Sequence, residues 1–322
     1  MRTDKPIAKT TMNTTRRLLL RLAALLSFIT VTTHAQQPPP HRPQGPLPLP
    51  EGVRALRDIE YVPGGGRAQS LDLYLPQSDR PTPLIIWIHG GAFRAGDKAQ
   101  CAATALTRRG YAAASLNYRL SGQAVFPAAI EDCKTAVRWL RAHAKEYNLD
   151  ADHFGAWGSS AGGHLVALLG ASGGVKQLEG SGGNLEFSSR VQAVCDWFGP
   201  TDFVQMEAHA LTPGRPFSHD AADSPESLFI GGAIQENKEK ARAANPITYV
   251  TPGAPPFLIM HGDRDPLVPH HQSELLEAAL KKAGVEVTFH TVLGAGHGFG
   301  GLEIFRRVEA FFDKHLKKPV AP

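Results

Sequence analysis

Several stretches of the sequence contain residue types that could carry out nucleophilic catalysis. Gly158-Ser159-Ser160-Ala161-Gly162 matches the G-x-S-x-G pattern, in which a tight strand-to-helix turn holds a serine with its hydroxyl exposed. Because Ser159 occupies a variable position, the pattern predicts Ser160 as the nucleophile. Glycine is common in this sequence, at 32 of 322 residues, so the short pattern alone is weak evidence. The match gains weight because a strand-like stretch precedes it and an Ala- and Leu-rich stretch follows it.

A serine hydroxyl needs a neighbouring base to become a good nucleophile. We expect His297 to be that base, because it lies in the glycine-rich stretch 294–298 after the last predicted strand. The order serine, acid, histidine that accompanies the G-x-S-x-G pattern also requires a late histidine. His270 and His271 lie in a polar segment and are expected to be exposed, and His315 lies on the predicted terminal helix.

Asp265 is the predicted acid, whose carboxylate would fix the tautomer of the histidine and stabilise the imidazolium that forms. It lies in Gly262-Asp263-Arg264-Asp265-Pro266, directly after a predicted strand that ends at His261. Asp263 is the alternative acid. It stands nearer to the end of the strand, where it could instead shape the turn.

Backbone N–H groups that point at developing negative charge form an oxyanion hole. His89-Gly90-Gly91-Ala92-Phe93 follows an apolar run and matches the loop type that supplies such donors. We expect Gly91 and Ala92 to donate from this loop, and Ala161 to donate from the position after the nucleophile. His89 is expected to make a structural hydrogen bond.

These stretches need a scaffold that brings the ends of several strands together. The continuous apolar run 84–88 and the mostly apolar stretch 191–198 are examples of strand patterns that alternate with helical patterns along the chain. This alternation predicts an α/β fold with a mostly parallel, doubly wound sheet of about eight strands, covered on both faces. Asp97 is predicted to cap a helix that runs to Arg109.

Residues 200–250 interrupt the alternation with a stretch rich in Pro, Gly, Ser and Asp. Long irregular excursions within a compact domain are often functional, so we predict a small cap over the site, with a plain surface excursion as the alternative. Phe93, Phe203 and Met206 are candidates to line an acyl pocket, although large apolar residues more often belong to the core.

The first 35 residues are predicted to be a signal peptide. Arg16, Arg17 and Arg21 precede the apolar run 22–31, and a small-residue site at 33–35 follows it. The run is too short to favour a membrane-spanning helix, which needs about 20 apolar residues, so we expect no membrane segment in the mature form. The paired arginines fit a twin-arginine signal as well as the general secretory route.

Residues 36–50 contain seven prolines and are predicted to form an extended linker, which leaves 51–322 as the folded domain. The whole chain has a net charge of +4. Positions 1–35 hold six basic residues and one acidic residue, so the remainder has 28 basic and 29 acidic residues and a net charge of −1. The basic character belongs to the targeting segment and does not favour a nucleic-acid partner.

Cys101, Cys133 and Cys195 form an odd set, so a disulfide framework is not indicated. We expect them to be small buried apolar residues. No C-x-x-C pattern or histidine cluster indicates a metal site.

The combined motifs resemble the bacterial feruloyl-esterase-like (BD-FAE) branch of the α/β-hydrolases, close to the hormone-sensitive-lipase-like esterases. The resemblance covers about residues 55–315. It rests on the stretches 89–93, 96–98, 117–121, 126–128, 132–134, 158–164, 196–202, 261–269 and 296–298. Ala92 replaces the third glycine of the H-G-G-G form, and its backbone N–H remains available.

The resemblance implies an α/β-hydrolase fold, no cofactor, and hydrolysis of carboxylic esters through an acyl-enzyme. It places the catalytic triad of the family on Ser160, Asp265 and His297. The implied substrates are small-molecule or polysaccharide-linked esters with short acyl, acetyl or feruloyl groups, met by an exported enzyme in the periplasm or outside the cell.

Two further activities would use the same triad on an amide: those of a prolyl-oligopeptidase-like peptidase and of an aryl formamidase. The missing propeller domain disfavours the first, and export disfavours the second. A non-catalytic binding protein on the same fold is a third alternative. Such proteins typically lose the nucleophile or the base, and both are present in this sequence.

Overall fold

A sheet of eight strands forms the centre of the protein, in a computed structural model that describes residues 1, 49–211 and 217–317. The strands are β1 (Val53–Glu60), β2 (Ser70–Pro76), β3 (Thr82–Ile88), β4 (Ala112–Leu116), β5 (Leu149–Ser159), β6 (Ala193–Trp197), β7 (Phe257–Gly262) and β8 (Val287–Val292). Their order across the sheet is β1-β2-β4-β3-β5-β6-β7-β8. The predicted α/β class with about eight strands is therefore confirmed.

The strand directions bring the predicted site residues to one edge of the sheet. β2 runs antiparallel to β1 and β4, whereas the neighbours from β4 to β8 are parallel. Residues 84–88 of β3 are all buried, as their continuous apolar run predicts for a strand covered on both faces. The carboxyl ends of the parallel strands meet at the same edge, where ligands bind in open α/β sheets.

Helices cover both faces of this sheet. They are α1 (Ala128–Ala142), α2 (Ala161–Ala171), α3 (Met206–His209), α4 (Pro225–Ile230), α5 (Lys238–Ala244), α6 (His271–Lys282) and α7 (Leu302–Leu316). On one face α1, α2 and α6 share an apolar core with Ile86 of β3, and on the other α7 shares a second core with Ile85. Adjacent residues of one strand thus enter opposite layers, as the alternation of side chains along a strand requires.

The segment between β6 and β7 contains the short helices α3, α4 and α5. Phe203, Met206 and Phe229 anchor it, and their side chains are at most 1% exposed. Residues 212–216 lie outside the described part of the chain. The cap predicted for residues 200–250 stays a prediction.

One predicted helix is shorter than expected. Only a 3₁₀ helix forms, over Ala102–Arg109, and its N-cap residue is Cys101. Asp97 instead accepts hydrogen bonds from the side chain of Arg67 at 2.8 Å and from the backbone N–H of Ala99 at 2.9 Å. Asp97 therefore does not cap this helix, and its carboxylate binds a local N–H and a guanidinium 30 residues away.

The described helices and strands all lie within residues 45–322, which form one compact unit. All three cysteines are free and buried, which confirms their prediction as core residues. The predicted signal peptide and nearly all of the predicted linker lie outside the described residues. None of the helices in the described ranges is both long and apolar enough to cross a membrane.

Candidate active site

Ser160 lies on a tight turn between the end of β5 and the first residue of α2. Its backbone angles, φ 56° and ψ −122°, are unfavourable for a residue with a side chain and persist only where the surroundings enforce them. The N–H of Ser160 donates to the carbonyl of Trp197 at 2.9 Å, and its carbonyl accepts from the N–H of His164 at 3.0 Å. The turn is therefore fixed by β6 on one side and by α2 on the other.

Two glycines of the motif are needed because three backbones meet at this turn. A Cβ atom added at Gly162 would collide with the carbonyl oxygen of Ile88 at the end of β3. One added at Gly158 would collide with the carbonyl oxygen of Gly162. Because backbone atoms cannot swing aside as a flexible side chain can, α2 approaches β3 and β5 this closely only where no Cβ is present.

His297 contacts both of the other residues predicted to form the triad. Its Nε2 lies 2.9 Å from Oγ of Ser160, and its Nδ1 lies 2.7 Å from Oδ2 of Asp265. An ionised carboxylate only accepts hydrogen bonds, so Nδ1 carries the proton and Nε2 accepts from the serine hydroxyl. This tautomer is the one in which a histidine can remove the hydroxyl proton as the serine attacks.

Asp265 is fully buried, and each of its carboxylate oxygens has partners. Oδ1 accepts from the N–H groups of Leu267 at 2.8 Å and Val268 at 2.9 Å, and Oδ2 faces His297. Burial alone would raise the pKa of Asp265, but hydrogen bonds from His261 and His297 outweigh burial and hold this pKa well below its ordinary range. The carboxylate is thus charged at neutral pH.

Asp263, the alternative acid, has a different partner. Its Oδ1 accepts from the N–H of Gly294 at 2.6 Å, at the start of the loop that carries His297. Asp263 therefore fastens that loop and shapes the turn. Of the two candidates, it is Asp265 that the structure brings to the imidazole.

The predicted oxyanion loop lies against the nucleophile turn. A Cβ atom added at Gly90 would be 3.2 Å from Cβ of Ser160. Gly91 and Ala92 have positive φ angles of 115° and 55°. The N–H groups of Gly91, Ala92 and Ala161 donate to no acceptor in the described ranges. They are free to donate to a charged substrate oxygen, and the N–H of Ala161 lies at the N-terminus of α2.

An ion-pair network behind the oxyanion loop, with Lys98 and Asp72 buried at its centre and Asp58 exposed at its edge, was missed by the sequence analysis. Nζ of Lys98 lies 2.7 Å from Oδ1 of Asp58 and 2.5 Å from Oδ1 of Asp72. The side chains of Lys98 and Asp72 are 3% and 2% exposed. Arg57 adds a second cation, 2.9 Å from Oδ2 of Asp72. This Lys98 network, made of these four residues, fastens the loop to β1 and β2.

The remaining histidines of the sequence analysis do not contact Ser160. Nδ1 of His89 donates to a backbone carbonyl at 2.7 Å and its ring stacks on Tyr118, which is the structural role predicted for it. His270 and His271 lie 3.1 Å and 2.9 Å from the carboxylate of Glu274 and are partly exposed.

The residues predicted to line an acyl pocket do not lie at a surface. Phe93, Phe203 and Met206 are 2%, 0% and 0% exposed. Phe93 stacks on Phe229, and Phe203 stacks on His164, so the rings form an aromatic cluster next to α2. A side chain that solvent does not reach cannot line an open pocket. The structure therefore corrects this expectation and places all three residues in the core.

A cleft of about 190 Å³ adjoins the oxyanion loop. Its lining includes His89 at the start of that loop, together with Arg67, Asp97, Asn117 and Gln123. His89 and Asn117 directly follow β3 and β4, so the cleft lies at the same edge of the sheet as Ser160.

Comparison with known sequences identifies relatives of the chain. The sequence model of the BD-FAE family matches residues 71–280. The chain is 32% identical over 265 residues to esterase LipQ of Mycobacterium tuberculosis. The aligned region covers 80% of this chain and 60% of LipQ. It is also 32% identical over 275 residues to esterase LipC of the same organism, covering 80% of this chain and 65% of LipC. The chain thus spans less than two thirds of the length of either relative.

Solved structures show the same architecture. A truncated form of a carbohydrate esterase from gut microbiota has a TM-score of 0.77 at 34% identity, over 84% of this chain and 99% of that chain. A bifunctional GH43-CE protein of Bacteroides eggerthii has a TM-score of 0.74 at 37% identity, over 81% of this chain and 38% of that chain. These likenesses confirm the predicted α/β-hydrolase fold.

Proposed function

Because the chain belongs to the BD-FAE family, we propose that it is a serine hydrolase that cleaves carboxylic esters. Ser160 acts as nucleophile, His297 as general base and Asp265 as the acid that orients the base. One observation carries this proposal. Oγ of Ser160, the imidazole of His297 and the carboxylate of Asp265 form a continuous chain with separations of 2.9 Å and 2.7 Å.

The geometry suits a two-step reaction. Oγ of Ser160 attacks the ester carbonyl carbon while Nε2 of His297 takes the hydroxyl proton, and the oxyanion that forms accepts from the free N–H groups of Gly91, Ala92 and Ala161. His297 then passes the proton to the departing alcohol, which leaves an acyl-enzyme. A water molecule activated by the same base hydrolyses that acyl-enzyme and regenerates the serine.

The finer substrate class is also a proposal: short acyl groups, acetyl or feruloyl, on a carbohydrate alcohol. Its support is the similarity to a carbohydrate esterase and the cleft beside the oxyanion loop, whose lining includes Arg67, Asp97 and Asn117. Asn117 follows β4, which lies two strands from β5 and Ser160. Two strand spacings amount to about 10 Å, within reach of a sugar unit attached to the ester.

Export is proposed from the pattern of residues 1–35 alone. An exported esterase would meet polysaccharide-linked esters outside the cytoplasm. N-terminal sequencing of the protein recovered from the producing cells tests the proposal. A mature chain that begins close to residue 36 in the periplasm or medium supports export, and an intact chain confined to the cytoplasm contradicts it.

The full chain should be assayed with p-nitrophenyl acetate, butyrate and octanoate and with methyl ferulate, beside a Ser160→Ala variant. We expect the wild type to turn over the short acyl esters and the variant to be inactive. A wild type that is inactive on every ester, but that cleaves a formanilide or a prolyl anilide, would move the assignment to an amide substrate. Equal ester turnover by the variant would exclude Ser160 as the nucleophile.

A further inference from the structure

A second histidine faces the acid of the proposed triad. His261 is the next-to-last residue of β7, and its side chain is fully buried. Its Nε2 lies 3.2 Å from Oδ2 of Asp265, the same oxygen that Nδ1 of His297 approaches to 2.7 Å. The same Nε2 lies 3.0 Å from the carbonyl oxygen of Val268.

The neighbours of His261 determine where its proton is. The carboxylate and the carbonyl next to Nε2 can only accept, so Nε2 carries a proton and donates. Nδ1 lies 2.7 Å from Oγ of Ser273, whose hydroxyl donates to it when the ring is neutral. Burial lowers the pKa of His261, which favours that neutral ring. His261 is therefore a fixed donor that shares its proton between Val268 and Asp265.

This donor completes the shell around the carboxylate of Asp265. Two backbone N–H groups approach Oδ1, while His261 and His297 approach Oδ2. Donors on both oxygens fix the plane of the carboxylate. The N–H of His261 also withdraws negative charge from the oxygen that faces His297, and so limits how strongly that oxygen stabilises the imidazolium.

We infer that His261 is a positioning residue for the ester hydrolysis proposed above, acting through Oδ2 of Asp265. It contacts neither the nucleophile nor any atom that reacts, and the inference rests on the proposed triad. The other titratable group that faces its ring is His270, with ring centroids 5.5 Å apart, and His270 in turn lies beside Glu274.

Two substitutions at this position isolate the donor. His261→Gln extends an amide N–H to about the position of Nε2, whereas His261→Asn reaches only the position of Nδ1 and leaves Oδ2 without this donor. Ser273→Ala is the matched control, because it removes the partner of Nδ1 and leaves Nε2 in place. The measurement is the pH profile of kcat/KM with p-nitrophenyl acetate. Each reaction is quenched to alkaline pH before the absorbance of the released p-nitrophenolate is read. Its acidic limb reports the base of the free enzyme.

We expect His261→Asn to move the acidic limb to higher pH by about 0.5 unit. With one donor fewer on Oδ2, the carboxylate stabilises the imidazolium of His297 more strongly and so raises the pKa of the base. Its kcat should fall about tenfold with KM nearly unchanged, the size expected for one lost hydrogen bond to a charged group. His261→Gln and Ser273→Ala should keep the limb at the wild-type position.

An acidic limb that stays in place in His261→Asn, or that moves equally in Ser273→Ala, would overturn the inference. If His261→Asn does not fold, a shifted limb in a folded His261→Gln overturns it, since that variant keeps the donor. Ser160→Ala, measured alongside, separates the two proposals. Full activity in Ser160→Ala refutes the triad itself, whereas an inactive Ser160→Ala with an unmoved limb in His261→Asn refutes only the role of His261.

Discussion

The oxyanion loop (residues 89–98) and the histidine loop (residues 293–301) supply opposite sides of the candidate site and are held by different means. The oxyanion loop is anchored by distant side chains. Lys98 at its end is paired with two aspartates, and the hydroxyl of Tyr118 donates to the carbonyl of His89 at 3.0 Å.

The histidine loop is held mainly through its own backbone groups, by the turn that follows β7. The N–H of Gly294 donates to Asp263, and the N–H of Arg264 donates to the carbonyl of Ala295 at 2.9 Å. A backbone bridge joins Gly296 and Gly298 on either side of the base.

The difference follows from what each loop has to position. The proposed oxyanion donors are backbone groups, so they are correctly aimed only when the backbone itself is fixed. The proposed base is a side chain, and its ring is oriented directly by Asp265 and by Phe198, whose ring centroid is 4.7 Å from the imidazole. The oxyanion loop is therefore anchored through the side chain of Lys98, whereas the histidine loop is anchored through its backbone and the imidazole is oriented by its own contacts.

Removing the base gives the largest expected effect. His297→Gln should lower kcat/KM by about 10⁴-fold or more, because the serine hydroxyl loses its proton acceptor. Its thermal midpoint should stay close to that of the wild type, since the anchors of the histidine loop are backbone groups. Ester hydrolysis and thermal unfolding measure the two quantities. A large fall in the midpoint would show that the ring supports the loop.

Breaking the anchor of the oxyanion loop should reduce both stability and activity. Lys98→Met leaves Asp72 buried with one cation fewer, a change that costs about 3–5 kcal/mol in the free energy of unfolding. We expect kcat to fall as well, because the backbone donors of the oxyanion loop are no longer held in place. Urea unfolding and ester kinetics test this.

Arg67→Met provides the matched surface control. The pair between Arg67 and Asp97 has side chains 66% and 33% exposed, so its loss should cost less than about 1 kcal/mol. The double variant Lys98→Met/Asp72→Asn should recover part of the stability lost in Lys98→Met. Equal unfolding midpoints for Lys98→Met and Arg67→Met would contradict the buried anchor.

A glycine of the nucleophile turn and a glycine of the histidine loop should respond differently to alanine. At Gly162 the new Cβ meets the backbone of β3, so Gly162→Ala should cost about 3 kcal/mol and displace the nucleophile turn. At Gly294 the space is open and only the φ of 74° opposes a side chain, so Gly294→Ala should cost about 1 kcal/mol. Chemical denaturation of both variants compares them. The reverse order would contradict the close approach of the three backbones.

One further expected effect depends on pH. Asp196, near the end of β6, is buried, and burial raises its pKa to about 7. Below about pH 4 the carboxyl is protonated in both folded and unfolded chains. As the pH rises to about 7, the unfolded chain loses this proton before the folded chain does, so the wild type becomes less stable. Asp196→Asn removes this dependence.

The thermal midpoint of Asp196→Asn, relative to the wild type, should therefore increase between about pH 4 and 7 and stay level above. Neighbouring groups titrate in both proteins, so the comparison isolates Asp196. A constant difference across this range would show that the carboxyl is already charged in the folded protein at low pH.

The meeting of Ser160, Asp265 and His297 could be anticipated because each belongs to a local glycine-rich or strand-end pattern. The Lys98 network could not, since Lys98 is 40 and 26 residues from Asp58 and Asp72, and the pairing depends on which strand lies beside the loop. The ion pair between Arg67 and Asp97, which are 30 residues apart, could not be anticipated for the same reason.

The error over the acyl pocket has a different cause. In a regular helix or strand, the periodicity of apolar residues shows which side faces the core. Phe203 and Met206 lie in a segment of short helices and irregular chain, where no such period exists. Size and apolarity alone then cannot separate a pocket wall from the core.

The close approach of α2 to β3 at Gly162 has a consequence for engineering. The nucleophile turn and the oxyanion loop are joined backbone to backbone, so substitutions at 88–90 and 158–163 are expected to disable the enzyme rather than retune it. Selection for a new acyl or alcohol preference is therefore better directed at regions outside these two stretches, such as the lining of the cleft beside the oxyanion loop. Combinatorial libraries are best confined to those regions.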